Sequence, residues 1–200
     1  MKDFNNFNFS VFECDFESFT EAIYNCKWYE QSLLQNKVLI RKQPLNLDEY
    51  IDPPHGAHYQ KFSWWTTSDY KNKIFFASNC RDGMSSLCKY VSRELGCKLY
   101  EFGISKGEEA YYGCTFFYCN KGKDERAILA YMEDRWVFWQ EGELLPFENP
   151  AYYSNRFIKK RLNYDILVEY LGKMGINLFD IDSNVTNCMT FERIKWDREE

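Results

Sequence analysis

Two histidines are the side chains of this chain best suited to metal-ion or acid–base chemistry. His55 and His58 stand three residues apart in the sequence Pro-Pro-His-Gly-Ala-His, and Asp48, Glu49 and Asp52 closely precede them. Two imidazoles and one carboxylate form a ligand set that can hold a divalent metal ion. A proline-rich loop, however, does not present both rings together as one helix face would. We therefore interpret both histidines as surface residues and keep a metal-dependent hydrolase as the alternative.

Other common catalytic motifs are missing from the sequence. It contains no Gly-x-Ser-x-Gly turn and no glycine-rich loop of the kinds that bind nucleotide phosphates. Cys80 precedes a predicted helix start, a position that can lower a thiol pKa, but a buried structural cysteine is favoured. The acidic pairs Glu108/Glu109 and Glu133/Asp134 fall in predicted hairpin turns, where charged groups are normally solvated. The sequence therefore predicts a protein that is not an enzyme and needs no cofactor or metal.

The cysteine content indicates a reducing compartment. There are eight cysteines, but the N-terminus lacks a basic region followed by an apolar one, so no secretion signal is predicted. No Cys-x-x-Cys pair occurs, which argues against a structural zinc site. No stretch reaches the roughly 20 apolar residues that cross a bilayer. We expect free thiols in a cytoplasmic protein that does not bind membranes.

The elements that must position any site are clearest between Tyr111 and Phe147. Short apolar and aromatic runs, such as Trp136-Val-Phe-Trp139, alternate there with polar breaks that contain glycine. This pattern predicts antiparallel strands joined by hairpins. We expect a meander whose aromatic face forms the core.

Three helices are predicted around this meander. The capping-box spacing of Ser18 and Glu21 predicts a first helix that runs to about Leu34. Asp82 and Asn163 can cap the other two helices, whose apolar residues recur at the helical period. The glycines that would end those two helices are Gly96 and Gly175.

The fold class that follows is α+β, a mainly antiparallel meander sheet with about three helices packed on one of its faces. A single domain over residues 1–200 is favoured, with a possible N-terminal subdomain at 1–70 and a core at 71–196. Outside the meander, strands are predicted at 7–12, 37–41, 73–78, 98–104 and 189–196.

The segment from Gln43 to Tyr70 is the predicted partner-binding surface. It combines prolines, carboxylates and aromatic side chains in a stretch that lacks a regular pattern. Long loops in compact domains are often functional, aromatic residues anchor interfaces, and carboxylates steer a basic partner. The alternative is that its two tryptophans only cap the core. The predicted partner-binding residues are Asp48, Glu49, Tyr50, Asp52, Trp64, Trp65, Asp69 and Tyr70.

The charge balance narrows the class of partner. The net charge is −5 and the sequence pI is 5.3, which argues against nucleic-acid binding because that normally needs a basic face. The one basic run, Arg156–Arg161, is interpreted as a solvated link before the third helix. The balance fits a protein partner that is itself basic.

Residues 136–148 read Trp-Val-Phe-Trp-Gln-Glu-Gly-Glu-Leu-Leu-Pro-Phe-Glu and precede a basic stretch and a helix ending in Leu-Gly. This pattern resembles a group of bacterial proteins without an assigned activity. In size, acidity and lack of catalytic motifs the chain is also similar to bacterial immunity proteins, which neutralise toxins of contact-dependent inhibition and related systems. That second resemblance implies tight binding of a cognate toxin domain in the cytoplasm, by covering its active site or substrate surface. We therefore expect an immunity protein, with a hydrolase at His55 and His58 or a scaffold or ligand-sensing subunit as alternatives.

Overall fold

A computed structural model describes residues 4, 6–53, 59–105 and 113–195, and these form one antiparallel sheet of nine strands with helices on both sides. The strands are β1 (Asn6–Phe12), β2 (Val38–Lys42), β3 (Lys61–Thr67), β4 (Ile74–Ser78), β5 (Lys98–Ser105), β6 (Gly113–Asn120), β7 (Lys123–Met132), β8 (Trp136–Gly142) and β9 (Val185–Arg193). The helices are α1 (Phe16–Tyr24), α2 (Glu30–Leu34), α3 (Ser85–Leu95), α4 (Pro150–Tyr153) and α5 (Tyr164–Lys173), with 3-10 turns at Leu47–Tyr50, Ile158–Lys160 and Leu178–Asp180.

The strand order is β2-β9-β3-β4-β1-β5-β6-β7-β8. The predicted meander is present from β5 to β8, where consecutive strands pair with each other. The rest is not sequential, because β1 lies between β4 and β5 and β9 lies between β2 and β3. Strands from residues 1–70 are therefore interleaved with later strands in the same sheet.

Apolar side chains fill both faces of this sheet, because successive residues of a strand point to opposite sides. On β3, Trp65 enters a core that includes residues of α4 and α5, whereas Trp64 enters a second core that includes residues of α1 and α3. The same alternation places Phe75 in the first core and Phe76 in the second. The prediction that helices cover one face only is therefore wrong, since both faces carry enough aromatic surface to need a helical layer.

The first helix differs from its prediction at both ends. Asp15, not Ser18, is the cap residue, and its carboxylate accepts a hydrogen bond from the Ser18 N–H at 2.8 Å. The helix ends at Tyr24, and a separate short helix α2 follows at Glu30–Leu34. The buried residues of α1 are Phe19 and Ile23, and buried residues continue at helical spacing through Cys26 and Tyr29, so this spacing does not reveal the break between the two helices. The prediction of a single helix that runs to Leu34 is therefore wrong, because the segment forms two separate helices.

The other helices begin and end close to the predicted residues. Asn163 caps α5 by accepting a hydrogen bond from the Ile166 N–H at 3.0 Å. Gly96 ends α3 in the left-handed conformation, at φ 62°, which glycine adopts at little cost. Asp82 lies one turn before α3 and accepts from the Met84 N–H at 3.0 Å, while Met84 itself is left-handed at φ 57°. The start of α3 is therefore a tight turn formed by these residues.

The sequence motif at residues 136–148 holds β7 and β8 to α4. Glu148 accepts two hydrogen bonds from Arg126, from Nε at 2.9 Å and from Nη2 at 2.7 Å, and a third from the Tyr153 hydroxyl at 2.6 Å. Gly142 has φ 86°, and a Cβ atom there would lie 1.8 Å from the Glu125 carbonyl oxygen. The Gly and final Glu of the motif therefore have structural roles in a buried ion pair and a tight strand end.

Candidate functional site

The aromatic residues predicted to bind a partner are mostly part of the core. Tyr50 is 1% exposed, and Trp64 and Trp65 are both 0% exposed. The Trp64 indole donates to the Thr20 hydroxyl at 2.9 Å, and the Trp65 indole donates to the Ile181 carbonyl at 2.6 Å. The expectation that these three side chains are surface anchors is wrong, because Trp64 and Trp65 lie on the interior strand β3 and Tyr50 is buried at the end of the 3-10 turn Leu47–Tyr50.

The predicted acidic residues remain on the surface, but in two separate places. Asp48, Glu49 and Asp52 are exposed near the start of β3, where Glu49 pairs with Lys61 at 2.5 Å. Asp69 is exposed beyond the other end of β3. The seven residues of β3 separate these groups by about 20 Å at the usual rise per residue. They do not form one surface, and a contact of either group with a partner stays a prediction.

Tyr70 completes the predicted set and lies beside Asp69. Its side chain is partly buried, and its hydroxyl accepts a hydrogen bond from the Asn177 N–H at 2.9 Å. Its ring packs edge-on against Phe75 at 5.5 Å between centroids. These contacts give Tyr70 a structural role in joining β4 to the turn before the last strand.

The residues that the sequence offers for catalysis or metal binding are histidines, acidic pairs and cysteines. His55, His58 and the acidic pair Glu108/Glu109 lie outside the described residues, so the metal-dependent hydrolase stays a hypothesis. Among the described residues, no group of three or more His, Cys, Asp or Glu side chains is placed to hold a metal ion. Burial raises the pKa of Cys80 to about 11, which is opposite to the shift considered for a helix start. All eight cysteines are free thiols.

A different surface has an unusual exposure of apolar side chains, and we call it the open face. It lies on β6, β7 and β8, on the side of the sheet that carries α1 and α3, and α3 packs mainly on β5 and β6. Trp139 is 45% exposed, and the five other residues of this surface are partly exposed. The open face consists of Thr115, Phe117, Leu129, Tyr131, Val137 and Trp139.

Strand pairing arranges the open face in cross-strand rows. Thr115, Leu129 and Trp139 are direct neighbours in one row, and Tyr131 and Val137 are opposite each other in the next. None of the four apolar members of these rows belongs to either buried core of the described residues. Cross-strand aromatic and aliphatic pairs of this kind stabilise a sheet, but here they also present a continuous apolar surface.

Carboxylates outnumber basic groups around the open face. Lys89 of α3 lies over the Phe117 ring at 5.6 Å, and its ammonium donates to Asp124 at 2.8 Å, so this cation is already paired. The exposed acidic residues on the adjoining turns and edge strand are Asp124, Glu125, Glu133, Asp134, Glu141 and Glu143, and the exposed basic ones are Lys121, Lys123 and Arg135. The rim of the open face therefore has an acidic excess.

A polar cavity adjoins the open face where β1, β5 and β6 pass the start of α3. Its volume is about 300 Å³, and Thr115, Phe117 and Tyr131 belong both to its wall and to the open face. Gly103 forms part of the floor, and a Cβ atom there would lie 2.3 Å from the Thr115 hydroxyl oxygen and 2.7 Å from Asn8 Oδ1. The absence of a side chain at Gly103 therefore keeps this space open.

Glu101 lies in the same sheet face, two residues from Gly103 along β5. Its side chain is 8% exposed, and Oε2 accepts a hydrogen bond from the Ser85 hydroxyl at 3.1 Å. Glu101, Asn8 and Thr115 line a smaller cavity of about 40 Å³ beside the larger one. Burial raises the pKa of Glu101 from its ordinary value of 4.5 to about 7. A buried carboxyl with a shifted pKa at a cavity is a candidate binding or proton-transfer group.

The open face was missed from sequence because both faces of β7 are apolar. Residues 127–131 read Ala-Ile-Leu-Ala-Tyr, a run that is typical of a strand buried on both sides. Which face the helices leave uncovered depends on the position of α3, and no pattern within β7 contains that information. The even-spaced polar residues Asn8 and Ser10 on β1 were a weak signal for the cavity.

Comparisons with known proteins identify no relative of this chain. The sequence matches no protein-family model, no curated protein and no solved structure. No helix in the described part of the chain has both the length and the apolar character needed to cross a membrane.

Proposed function

We propose that this chain is a non-enzymatic binding protein that docks a basic protein domain on the open face, and that it acts as an immunity protein against a bacterial toxin domain. The observation that carries the proposal is the exposed row of Leu129 and Trp139 with its acidic surroundings. Elsewhere in the described sheet, most large apolar residues of the interior strands belong to the two buried cores. An apolar patch bordered by charges is the usual composition of a protein-binding surface.

The size of the open face suits the centre of an interface. Three strands and three cross-strand rows span roughly 10 Å by 14 Å at ordinary strand spacing. A stable interface buries about 800 Å² on each partner, so the patch provides the dry centre and the charged turns provide the rim. Trp139 is the anchor in this arrangement, because tryptophan is enriched among the residues that dominate binding energy.

The acidic rim selects the charge of the partner. Carboxylates such as Glu141 and Glu143 at the end of β8 attract a basic domain and raise the rate of encounter. Toxin domains that act on nucleic acid need a basic substrate surface. Covering such a surface would block the toxin without any catalytic step, which fits a chain whose described residues are mainly a packed sheet.

The test is affinity capture with matched tryptophan variants. The tagged protein, Trp139→Asp and Trp28→Asp are used as bait in native lysate of the source cells at the same concentration. Trp28 is the matched control because it is 53% exposed, similar to Trp139, and lies next to Tyr90 at a ring distance of 5.1 Å, outside the open face. We expect a stoichiometric basic protein to be retained by the wild type and Trp28→Asp and lost by Trp139→Asp.

Two results would overturn the proposal. The first is a partner that Trp139→Asp retains and Trp28→Asp loses, since the binding surface would then lie at the turn between α1 and α2, beside α3. The second is self-association through the open face, seen as a dimer of the pure wild type that becomes a monomer in Trp139→Asp.

A further inference from the structure

Two cysteines lie opposite each other at the end of the β1–β5 ladder. The pairing continues one step past β1, where the Glu13 N–H donates to the Lys98 carbonyl at 3.0 Å. The same register places Cys14, the next residue of one strand, opposite Cys97, the preceding residue of the other. Because the Glu13–Lys98 pair is hydrogen-bonded, the two cysteines occupy a non-hydrogen-bonded position, at which Cα atoms are usually about 4.5 Å apart. This separation is within the roughly 4.4–6.8 Å that a disulfide requires.

The two cysteine side chains lie on the same side of the sheet, and their thiols are in contact. Cys97 belongs to the second core, which includes residues of α1 and α3, and Cys14 packs against that same core. The Cys14 thiol donates a hydrogen bond to the Cys97 sulfur. In the chain, Cys14 precedes Asp15, which caps α1, and Cys97 follows Gly96, which ends α3. A bond between the two sulfurs would therefore tie the start of α1 to the end of α3.

The two thiols of this pair differ in acidity. Of the eight cysteines, all of which lie in the described part of the chain, Cys97 alone has a lowered pKa. The hydrogen bond from Cys14 is the main cause, since it stabilises the Cys97 thiolate, and the same contact raises the pKa of Cys14. Cys97 is 8% exposed and Cys14 is half-buried, which suits a small oxidant better than a bulky one. A low-pKa thiol beside a second cysteine is typical of cysteines that oxidise reversibly.

We propose that Cys14 and Cys97 are a redox modification site, at which hydrogen peroxide forms a reversible disulfide that ties α1 to α3. The Cys97 thiolate attacks one peroxide oxygen and becomes a sulfenic acid, while the other oxygen leaves as hydroxide. The Cys14 thiol then attacks the sulfenic sulfur, and the S–S bond forms as the remaining oxygen leaves as hydroxide. The two hydroxides take up the two thiol protons, so two thiols and one peroxide become one disulfide and two water molecules. Small cellular thiols reverse the reaction by thiol–disulfide exchange.

Two other cysteines near this pair are poorer partners for Cys97. Cys119 is opposite Leu99 in the β5–β6 ladder and in the same core, so it is a diagonal neighbour of Cys97. Diagonal neighbours are usually about 7–8 Å apart, which is beyond the span of a disulfide, and burial raises the pKa of Cys119. Cys80 is half-buried like Cys14, but its thiol contacts the Asn79 side chain at 3.8 Å and burial raises its pKa to about 11. Cys80 is therefore the matched control.

Peptide mapping after oxidation tests this pair directly. The reduced full chain is treated with a slight molar excess of hydrogen peroxide, and the remaining thiols are blocked with N-ethylmaleimide. Trypsin together with a glutamate-specific protease leaves Cys14 and Cys97 in separate peptides that contain no other cysteine, so mass spectrometry without reduction identifies their link. We expect the Cys14–Cys97 link to be the main disulfide and to disappear with dithiothreitol. Its yield should be unchanged in Cys80→Ala and at least tenfold lower in Cys14→Ala.

The thermal midpoint of the oxidised protein is the second measurement. A bond between residues so far apart in the chain restricts the unfolded state, so the midpoint should rise by roughly 5–10 °C and return on reduction. Cys14→Ala replaces a half-buried side chain and should show no such shift after oxidation. The proposal is overturned if both thiols stay open to maleimide, if the main link joins Cys97 to Cys119, or if oxidation leaves the midpoint unchanged or lower. The proposed function does not depend on any of these outcomes.

Discussion

Arg126 on β7 and Glu148 before α4 form a two-point ion pair in the interior, with side-chain exposures of 2% and 0%. The remaining donors of the guanidinium reach the Glu141 and Gly142 carbonyls at 3.0 and 3.2 Å and the Gln140 side chain at 2.8 Å. The pair is therefore fully hydrogen-bonded, which is the condition under which a buried charge is tolerated.

Removing one partner of this pair is expected to destabilise the fold strongly. Glu148→Ala leaves the Arg126 charge buried without its carboxylate, and the loss of unfolding free energy should be about 3–5 kcal/mol. Lys173→Ala is the control, because its ion pair with Glu169 is exposed and should contribute less than about 1 kcal/mol. Urea denaturation measures both. Equal midpoints for the two variants would contradict a structural role for the Arg126–Glu148 ion pair.

Glu101 should make the stability of the protein depend on pH between about 4.5 and about 7. Its folded pKa is raised to about 7 by burial, so the folded state retains a proton that the unfolded state has lost. Its stabilising contribution is present below pH 4.5 and is lost as the pH rises through 7. Glu101→Gln should therefore be more stable than the wild type at pH 8, by roughly 2–3 kcal/mol, and equal to it near pH 4. A parallel pH profile for the two proteins would refute this linkage.

Cys97 is expected to be more reactive than Cys80 despite being less exposed. The hydrogen bond from the Cys14 thiol lowers the pKa of Cys97, whereas burial raises that of Cys80 to about 11. Alkylation proceeds through the thiolate, so brief iodoacetamide treatment at pH 8 should label Cys97 first, as read by peptide mass spectrometry. In Cys14→Ala the labelling of Cys97 should slow. Faster labelling of Cys80 than of Cys97 would mean that solvent exposure, and not the thiol pKa, determines the alkylation rate.

Charge reversal compares the two acidic surfaces of the molecule. Glu141→Lys with Glu143→Lys should slow association with a basic partner severalfold and leave dissociation little changed, because rim charges act mainly on encounter. The corresponding reversal of Asp48 and Asp52 tests the surface predicted from the sequence and should have a smaller effect. Surface plasmon resonance at low and moderate salt measures both. A larger effect on association at Asp48 and Asp52 would indicate that the partner binds the surface predicted from the sequence and not the open face.

Much of the architecture could be predicted from local patterns. The strands and turns of the β5–β8 meander follow from apolar runs and polar breaks, and the capping of α5 by Asn163 follows from local chemistry. The insertions of β1 and β9 between other strands could not be predicted, because strand order depends on contacts between residues far apart in the chain.

The burial of the tryptophans predicted to bind a partner could not be predicted for a related reason. Trp64 and Trp65 are adjacent, and on a strand that means one side chain for each face. The sequence pattern of this segment predicts an irregular loop, in which both tryptophan side chains would be exposed. The polar cavity beside the open face depends on Asn8, Gly103 and Thr115, which come from three strands and meet only through the register of the sheet. The register between these strands cannot be predicted from the spacing of residues in the sequence.

The central claim is that Trp139 lies at the centre of a protein interface, and photo-crosslinking tests it most directly. p-Benzoyl-phenylalanine replaces Trp139 in one protein and Trp28 in another, and both are irradiated in native lysate with the partner present. We predict a covalent adduct with a basic protein from position 139 and none from position 28. An adduct from position 28 alone, or one between two copies of this chain at position 139, would contradict the account.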